Sequence, residues 1–509
     1  MSNNIYFCSV TYAELELEIT ALRPTLSSES LKLLDIFIPF CNHLVAENAS
    51  LSAENAALRS QVSELTHRLS SNSSNSSSPP SKDIARVSKP RSRRENSGKK
   101  RGGQKGHKGH VGHFFETPDE TILHPIVGSC GHCGTSLATL PVTETLKRQI
   151  VDIPAPCPQV IEHHIEVKAC PNCGKEWMSS DENIPAQNFT YGPYVQALAV
   201  YFSARHMLPV ARSAELFEQF GINISVGTLD NFRKRAAKEL GDFYKALQEK
   251  MQNCKSAHFD ETGIHINGQR HWLHVSSEAF LSYYHVDAQR GGQAIENMGI
   301  LPQFKGVSHH DCYSSYNNYP NAIHSLCNAH LLRELKAVID RQEDNENWAT
   351  SIIKILMQAK KLVEKTADNI LDKRWQARVK NQILKWVGVG LQHHPKKERP
   401  PSQKKGKVKQ SKTHNLIIRI KENVESFLRF TTITEAQFDN NQAERDIRMN
   451  KVKEKVSGGF RALDAAKEFA IIRSFIDTLR KQGRDVVQGL HLMLCGKLNY
   501  HQIINYSPE

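Results

Sequence analysis

Two short cysteine motifs of the same form constrain the fold of this 509-residue chain more than any other feature of its sequence. Each has the form C-x-x-C-G, and the two begin at Cys130 and Cys170. The spacing lets both thiolates of a tight turn reach one ion, and the glycine accepts the positive φ that such a turn often needs. Two such turns supply four sulfurs, which close a tetrahedral shell and leave no open position for chemistry. We therefore expect structural zinc in a zinc-ribbon-like module at 128–185, with the ligands Cys130, Cys133, Cys170 and Cys173.

The composition is that of an ordinary globular protein. Hydrophobic residues make up 39% and charged residues 23% of the chain, which excludes a wholly disordered protein, a collagen and a disulfide miniprotein. No stretch approaches the roughly 18 uninterrupted apolar residues of a membrane span, and the first residues lack a basic region followed by an apolar one. Eleven cysteines is an odd count that suits metal binding in a reducing compartment. We expect a cytoplasmic protein with no membrane contact.

The positive charge is concentrated in two tracts. The net charge of the chain is +13, whereas residues 82–113 carry +9 and residues 396–414 carry +7, so the rest of the chain is slightly acidic. Both tracts are rich in Gly, Ser, Pro or Gln, which is typical of mobile arms laid along a polyanion. A solvated linker is the alternative for either tract. Two tracts in one chain favour nucleic acid as the partner and a nucleoid-associated location.

A leucine repeat precedes the first basic tract. Leu44, Leu51, Leu58 and Leu65 recur every seven residues, and the intervening a positions are Cys41, Asn48, Asn55, Val62 and Leu69. Asparagine at two successive a positions favours a parallel two-stranded seam over a helix packed on its own domain. We expect Pro39 to mark the start of this helix and the Ser-rich run at 70–81 to end it. The repeat predicts a homodimer through a coiled coil at 40–70, after an N-terminal segment at 1–39 of uncertain structure.

Residues 190–250 indicate a helical segment with a helix-turn-helix shape. The pattern predicts one helix through Glu218, a turn at Gly221 and a second helix that Ser225 opens. A plain helical hairpin fits the same pattern. In the DNA-binding case, the side chains expected to be available to DNA are Thr228, Asn231, Arg233 and Lys234.

Beyond Lys255 the pattern changes to short alternating segments. Three of them predict consecutive antiparallel strands, and a helix near 291–299 and a fourth strand follow. Asp260 lies inside the first strand and Asp311 at the end of the fourth, so both carboxylates can meet at the edge of a mixed sheet. With a third acid from a later helix, such a pair can hold two Mg²⁺ or Mn²⁺ ions for in-line phosphoryl displacement. Either aspartate alone is equally consistent with a turn or a helix cap.

The order of these parts resembles the large transposase of insertion-sequence elements of the IS66 family. The residues that carry the resemblance are the Gly-rich RGGQKGHKGH, HFDET around Asp260, HHDCYSSY around Asp311, CNAHLLREL from Cys327 and FDNNQAERDIR around Glu444. Members of that family combine a coiled coil, a zinc-binding module and an RNase H-like DDE domain. The resemblance implies that Glu444 completes the catalytic triad.

The residues themselves leave the third acid open. Asp439 or Asn440 can cap a helix that carries Glu444, but spacing alone does not exclude Glu435, Asp439 or Asp446. A departure from the family pattern lies just after Arg448, where Met449 replaces the proline that is usual in the family. Cys327 and His330 are two ligand-type residues without an obvious complement, and by resemblance they support the architecture of the sheet.

The resemblance implies a multidomain protein that binds the terminal repeats of an element and target DNA, cleaves a strand and transfers it. It also implies a homodimer or higher synaptic assembly and accessory proteins of the same element. The alternatives are a domesticated or inactive zinc-containing DNA-binding protein and a structure-specific RNase H-like nuclease. The remaining expected divisions are a flexible linker and basic arm at 71–127, an RNase H-like α/β DDE domain at 251–480 with a helical insertion at about 345–414, and a C-terminal tail at 481–509.

Overall fold

A computed structural model describes residues 21–70, 115–138, 140–152, 157–179, 184–185, 187–399 and 408–508. The first basic tract and the Ser-rich run beyond residue 70 lie outside these residues, as does part of the second tract. None of the helices in the described ranges is long and apolar enough to cross a membrane.

The N-terminal part of the described chain is one long helix, α1, at Ser28–Ser70. The prediction that Pro39 marks its start is wrong, because Pro39 lies inside the helix. A proline within a helix forfeits a hydrogen bond and clashes with the preceding turn at a cost of about 3 kcal/mol, which the many other turns of a 43-residue helix offset. The repeat leucines are about half exposed, from 47% at Leu44 to 56% at Leu65. The coiled coil stays a prediction.

The cysteine module contains one short hairpin. Its strands are β1, Val167–Ala169, and β2, Glu176–Met178, which pair antiparallel. Both strands are exposed along their whole length, so the described module has little apolar core of its own. A module of this kind depends on cross-links for its stability.

Four helices follow: α2 at Pro193–Ala204, α3 at Val210–Gln219, α4 at Val226–Glu239 and α5 at Gly241–Gln252. The predicted helix, the turn at Gly221 and the second helix opened by Ser225 are present, an arrangement that a plain helical hairpin shares. Gly221 has a φ of 75° in the turn between α3 and α4, and the Ser225 hydroxyl caps α4 by accepting from the Thr228 amide at 3.1 Å. Phe217 and Phe232 are buried on either side of the turn.

Contrary to the expectation from the sequence, the Arg233 side chain of α4 is not available to DNA. Its guanidinium pairs with Asp230 at 2.5 Å and with Glu468 at 2.8 Å, and it donates to the Ala465 carbonyl at 3.1 Å. The Arg233 side chain is only 18% exposed. The partners at 465 and 468 come from a helix more than 200 residues later, which local sequence could not place beside α4.

A five-stranded sheet in the order β5-β4-β3-β6-β7 forms the centre of the α/β region. Its elements are β3 at Ser256–Ile266, β4 at Gln269–Ser277, β5 at Ser282–Asp287, the helix α6 at Gly292–Met298, β6 at Val307–His310 and β7 at Ile323–Leu326. The first three strands pair antiparallel as predicted. The fifth strand, β7, was not expected, since four residues carry too little periodicity to distinguish a strand.

The outer strands begin at the same end as β3. The Val307 amide donates to the Lys255 carbonyl at 2.8 Å, and the Ile323 amide donates to the Gly306 carbonyl at 2.9 Å, so β6 and β7 run parallel to β3. Gly306 makes this approach possible, because a Cβ there would lie 2.5 Å from the carbonyl oxygens of Cys254 and Lys255. The sheet is therefore mixed, as predicted.

The described part of the segment between the sheet and the last motif is helical, and its helices extend on both sides of the insertion predicted at about 345–414. It comprises α7 at Asn328–Asp340, α8 at Trp348–Val363, α9 at Lys373–His393, α10 at Lys412–Glu422 and α11 at Val424–Phe427. These helices share one apolar cluster that includes the fully buried Trp348, Ile352 and Ile417. The insertion thus has a core of its own.

Four helices complete the chain: α12 at Asn441–Ser457, α13 at Leu463–Lys481, α14 at Val486–Leu494 and α15 at Tyr500–Ile504. The C-terminal tail expected at 481–509 contains two short helices, α14 and α15. Leu490 and Ile503 are buried, and the Asp485 side chain caps α14 by accepting from the Gln488 amide at 3.0 Å. Apolar residues at helical spacing form the buried side of these helices.

The chain divides into two compact units. The first comprises Met1–Arg86, His309–Tyr313 and His324–Asn441, and the second comprises Val87–Ser308, Ser314–Ile323 and Gln442–Glu509. The insertion helices belong to the first unit. The strands β3, β4 and β5 and the helices α12 and α13 belong to the second.

Candidate active site and zinc module

Asp260 lies in β3 on the sheet face that α12 covers. It pairs across the strands with Val275, and cross-strand partners point to the same face. Val275 belongs to an apolar cluster with Ala443 and Ile447 of α12. One carboxylate oxygen of Asp260 accepts from the Glu261 amide at 2.9 Å, which fixes the orientation of the group.

Glu261, the next residue, points to the opposite face and is neutralised there. The Arg290 guanidinium donates to one of its oxygens at 2.7 Å, and the Tyr316 hydroxyl donates to the other at 2.5 Å. The Glu261 side chain is only 3% exposed. The negative charge of Glu261 is therefore compensated by contacts within the fold. Sequence reasoning assigned this acid no role, and the alternation of side chains along a strand was the signal that separated it from Asp260.

Asp311 directly follows β6, as predicted. One of its carboxylate oxygens accepts from the Tyr313 amide at 2.8 Å, so a backbone amide orients this carboxylate as one orients Asp260. The preceding residue, His310, is fully buried, and its ring contacts the His324 ring at 2.9 Å. Burial lowers the pKa of His310 to about 3. The ring is thus neutral at pH 7 and places no positive charge beside Asp311.

Cys327 and His330 lie at the start of α7. The Cys327 amide donates to the His310 carbonyl at 3.0 Å, and its sulfur accepts from the Asn440 amide at 3.2 Å. The Cys327 sulfur and a His330 ring nitrogen lie within 4.8 Å of each other. Burial, reinforced by Arg333, lowers the pKa of His330 to about 4. In the first unit Cys327 therefore links the end of β6 to the chain just before α12.

Glu444 stands in the first turn of α12, beside the buried Ala443. Two of the competing acids have hydrogen bonds of their own. Asp439 accepts from the Asn441 amide at 3.1 Å and so caps the helix. Asp446 accepts from Lys481 at 2.8 Å and from the Ser277 hydroxyl at 2.6 Å. The helix cap predicted from the sequence is confirmed.

The second unit contains two of the three predicted catalytic acids. Asp260 lies on the face of the sheet that packs against α12, and Glu444 is carried by that same helix. Asp311 belongs to the first unit. The meeting of all three carboxylates stays a prediction.

Both cysteine motifs fold into the same turn. The Gly134 amide donates to the Cys130 carbonyl at 2.9 Å, and the Gly174 amide donates to the Cys170 carbonyl at 2.8 Å. The two glycines have φ values of 75° and 70°, as the sequence predicted. Hydrogen bonds lower the pKa of Cys133, chiefly from the Thr135 side chain, and they lower that of Cys170, chiefly from the Asn172 backbone. Such bonds favour the thiolate, the form that binds metal.

The two turns do not converge on one point. Among the cysteines of the described chain, no three sulfurs lie within 4.8 Å of one another. Each cysteine turn, half of the predicted zinc site, is thus formed locally, whereas the approach of the four sulfurs to one another depends on long-range structure.

Comparison with known families gives three matches. A family model described as "Transposase IS66 family" matches residues 188–468, more than half of the chain. A model described as "zinc-finger binding domain of transposase IS66" matches residues 128–174. A family of unknown function, DUF6444, matches residues 8–113. No curated protein matches the chain.

Proposed function

The chain belongs to the IS66 family of transposases and carries that family's zinc-finger domain, and on this premise we propose that it cleaves and transfers DNA strands at the ends of an insertion-sequence element. We propose Asp260, Asp311 and Glu444 as the catalytic acids. The observation that carries the assignment is that Asp260 and the helix bearing Glu444 share one face of the sheet within one compact unit.

The sheet supports an RNase H-like assignment of this domain. Numbered by their order along the chain, its strands lie in the sequence 3-2-1-4-5, the first three antiparallel and the last two parallel to the first. A carboxylate in the first strand, one directly after the fourth strand and one on a later helix are the positions that a DDE triad occupies on such a sheet. The contacts of two neighbouring acids support the same choice, because Glu261 is neutralised by Arg290 and Asp446 by the mostly buried Lys481.

The proposed ligands fit Mg²⁺ or Mn²⁺. Carboxylate oxygens are the hard donors that these ions prefer. Bound as a pair, the ions would promote attack by a hydroxyl and stabilise the leaving oxygen in an in-line displacement. The chain's own contribution is orientation: the Glu261 amide holds one oxygen of Asp260, and the Tyr313 amide holds one oxygen of Asp311. The rigid strand and helix under these acids limit their movement.

For the zinc-finger domain we propose a closed site of Cys130, Cys133, Cys170 and Cys173. Four thiolates are a complete ligand set for structural zinc. The matching turns and the lowered thiol pKa values of Cys133 and Cys170 support this role. The zinc would join two preformed half-sites and so stabilise the module.

The experiment replaces each proposed catalytic acid by its amide, as Asp260→Asn, Asp311→Asn and Glu444→Gln. Each variant should lose strand cleavage and strand transfer on authentic element ends with Mg²⁺ or Mn²⁺, in the presence of the element's accessory proteins. DNA affinity and zinc content should stay near those of the parent, since amides keep the shape of the side chains. Glu435→Gln is the matched control and should retain activity.

Two results would overturn parts of the proposal. Normal cleavage by Glu444→Gln would remove this residue from the triad and leave the transposase assignment intact. An inert parent protein on authentic ends, with metal and accessory proteins supplied, would favour a domesticated DNA-binding protein.

A further inference from the structure

We propose that the exposed face of α9 in the insertion binds the phosphate backbone of duplex DNA. This inference rests on the proposed function, which makes duplex DNA the substrate. The face, called here the α9 basic face, consists of Arg374, Arg378, Asn381, Lys385, Gly388 and Gln392.

The α9 basic face is one continuous row along the helix. Its members are spaced by four and three residues in alternation, and all six are exposed. The opposite side of α9 is buried in the core of the insertion through Val379, Ile383 and Val387. At 1.5 Å per residue the row is about 27 Å long, close to one turn of a DNA duplex at roughly 34 Å. One side of the helix is thus fully occupied by the protein, and the other is presented to solvent.

The charge of the helix has one sign. Its 21 residues include five Lys or Arg and no Asp or Glu. Of these five Lys and Arg residues, Lys380 lies outside the row and pairs with Glu425 at 2.7 Å. Within the described parts of the chain, no carboxylate pairs with Arg374, Arg378 or Lys385. Unpaired guanidinium and ammonium groups on one face are donors that a polyanion satisfies.

Arg378 is held in place by an aromatic ring. Its guanidinium carbon lies 5.0 Å from the centre of the Trp375 ring, and Trp375 itself is 42% exposed. Stacking against an aromatic face orients the guanidinium without consuming its N–H donors. The arrangement reduces the conformational entropy that Arg378 would lose on contacting a phosphate.

The two glycines of α9 differ in a way that points to an external partner. Gly390 has a packing reason, because a Cβ there would lie 3.0 Å from the Trp348 ring and 3.1 Å from Ile417. Gly388 lies in the basic face, and no atom lies within 4 Å of the position that its Cβ would occupy. A glycine inside a helix costs about 1 kcal/mol relative to alanine. The described fold gains nothing from the absence of a side chain at Gly388. A ligand that approaches the helix backbone closely would benefit from it.

Duplex DNA fits this face better than a protein partner does. The row consists of basic and small polar residues, whereas the centre of a stable protein interface is apolar and depleted in lysine. The helix also leads directly into the second basic tract, since α9 ends at His393 and the tract begins at Lys396. The face and the tract together form one positively charged stretch of chain.

The test is the salt dependence of binding to unrelated duplex DNA by the full-length, zinc-loaded protein. The variant combines Arg374→Gln, Arg378→Gln and Lys385→Gln. If each residue contacts one phosphate, the slope of log K against log salt should become shallower by about 2.7, at 0.9 per contact. The fall in affinity between 50 and 200 mM salt should then be about 40-fold smaller than for the parent.

Matched controls separate local phosphate contacts from net charge and from misfolding. The charge control combines Lys336→Gln, Lys354→Gln and Lys365→Gln, at exposed positions of the same unit outside the face. It removes the same charge, and its salt slope should stay steeper than that of the basic-face variant. Arg374→Lys with Arg378→Lys keeps the charge and should keep the slope. Equal losses in the two glutamine variants would overturn the proposal.

Two further outcomes distinguish this inference from the proposed function. If the parent cleaves element ends and the basic-face variant keeps the full salt slope, the inference is wrong and the proposed function stands. If the parent is catalytically inert but the basic-face variant loses the slope, the DNA surface stands and the proposed function fails. Dissociation of an oligomer by the variant, with an unchanged slope, would show that the face contacts a second copy and would overturn the DNA assignment.

Discussion

Asp446→Ala is expected to destabilise the sheet of the second unit strongly, although Asp446 is only two residues from the proposed catalytic Glu444. Asp446 and Lys481 form an ion pair at 2.8 Å, and their side chains are only 17% and 15% exposed. The Ser277 and Ser282 hydroxyls, at the ends of β4 and β5, donate to the same Asp446 oxygen at 2.6 and 3.2 Å. One carboxylate therefore joins α12, α13 and two strands.

The magnitude follows from what the substitution leaves behind. Lys481 would keep three neutral acceptors, the Ser277 hydroxyl and the carbonyls of Glu278 and Leu281, at 2.7 to 2.9 Å. Only the weaker attraction of Asp477 and Glu278 would then favour its charge, and breaking a buried pair from one side costs about 3–5 kcal/mol. Burial already lowers the pKa of Lys481 and Asp446 opposes that shift, so loss of Asp446 would favour the neutral amine. Deprotonation of Lys481 limits the loss of folding free energy in Asp446→Ala, which we expect to be about 3 kcal/mol.

Hydrogen exchange measured by mass spectrometry is the suitable assay, because a chain with several domains does not unfold in one two-state transition. Peptides from β4 and β5 should lose about 3 kcal/mol of protection in Asp446→Ala. The control is Arg445→Ala, an exposed neighbour on α12, for which a change within about 0.5 kcal/mol is expected.

Replacement of both partners provides the second control. Asp446→Leu combined with Lys481→Met removes the uncompensated charge and should recover most of the protection. If Asp446→Ala changes the protection no more than Arg445→Ala does, the ion pair does not hold α12 on the sheet and the reasoning is refuted.

Three further predictions concern other parts of the chain. Cys133→Ser should release the zinc that the domain binds, about one ion per chain by metal analysis, because three thiolates do not close a tetrahedral shell; stoichiometric zinc in the variant would contradict the site. Leu51→Ala with Leu58→Ala should give monomers by light scattering, since each truncation of a buried leucine costs about 2–5 kcal/mol; a variant that stays dimeric would place the interface elsewhere. Burial lowers the pKa of Lys453 from 10.5 to about 8, and its ammonium lies 3.7 Å from the centre of the Phe460 ring. Protonated Lys453 therefore costs stability at pH 7, and this cost disappears as the pH rises from about 8 toward 10.5. Lys453→Met should therefore raise the melting temperature more at pH 7 than at pH 10. An equal gain at both pH values would show that the charge of Lys453 is not the cause.

Features that depend on a few neighbouring residues were predictable from the sequence. The cysteine turns, the cap by Ser225 and the turn at Gly221 follow from local spacing and backbone preference. The antiparallel strands around Asp260 follow from alternation and short connections. Each of these signals is complete within about ten residues, so no knowledge of the tertiary fold was needed.

Features that depend on distant partners were not predictable. Arg233 has the sequence context of a DNA-contacting residue, yet Glu468 and the Ala465 carbonyl hold it against α13. The two C-terminal helices, α14 and α15, carry no sequence motif, and their part in the fold is evident only from their buried faces. The boundary at Pro39 was wrong because a local preference against proline was weaker than the rest of α1.

The choice among the acids of the last motif shows the same division. Spacing left Glu435, Asp439 and Asp446 open beside Glu444, because all four lie close to the start of one helix. Asp439 is used by the helix cap and Asp446 by Lys481, and Lys481 lies at the end of a different helix. The sequence contains that lysine, but nothing local assigns it to Asp446. The resemblance to the family selected Glu444, and the pairing of Asp446 with Lys481 counts against that one alternative. The choice of Glu444 stays a prediction.

The distribution of positive charge is a further case in which periodicity matters more than a count. Outside the two basic tracts the chain is slightly acidic as a whole, which conceals the charge of α9. That helix carries five basic residues and no acid over 21 residues, but apolar residues interrupt them, so no charged run is visible. Placed on a helix with a period of 3.6, the same residues separate into a buried apolar side and an exposed basic side. A DNA-binding surface of this kind is therefore invisible to composition and becomes evident only when the helix and its buried side are known.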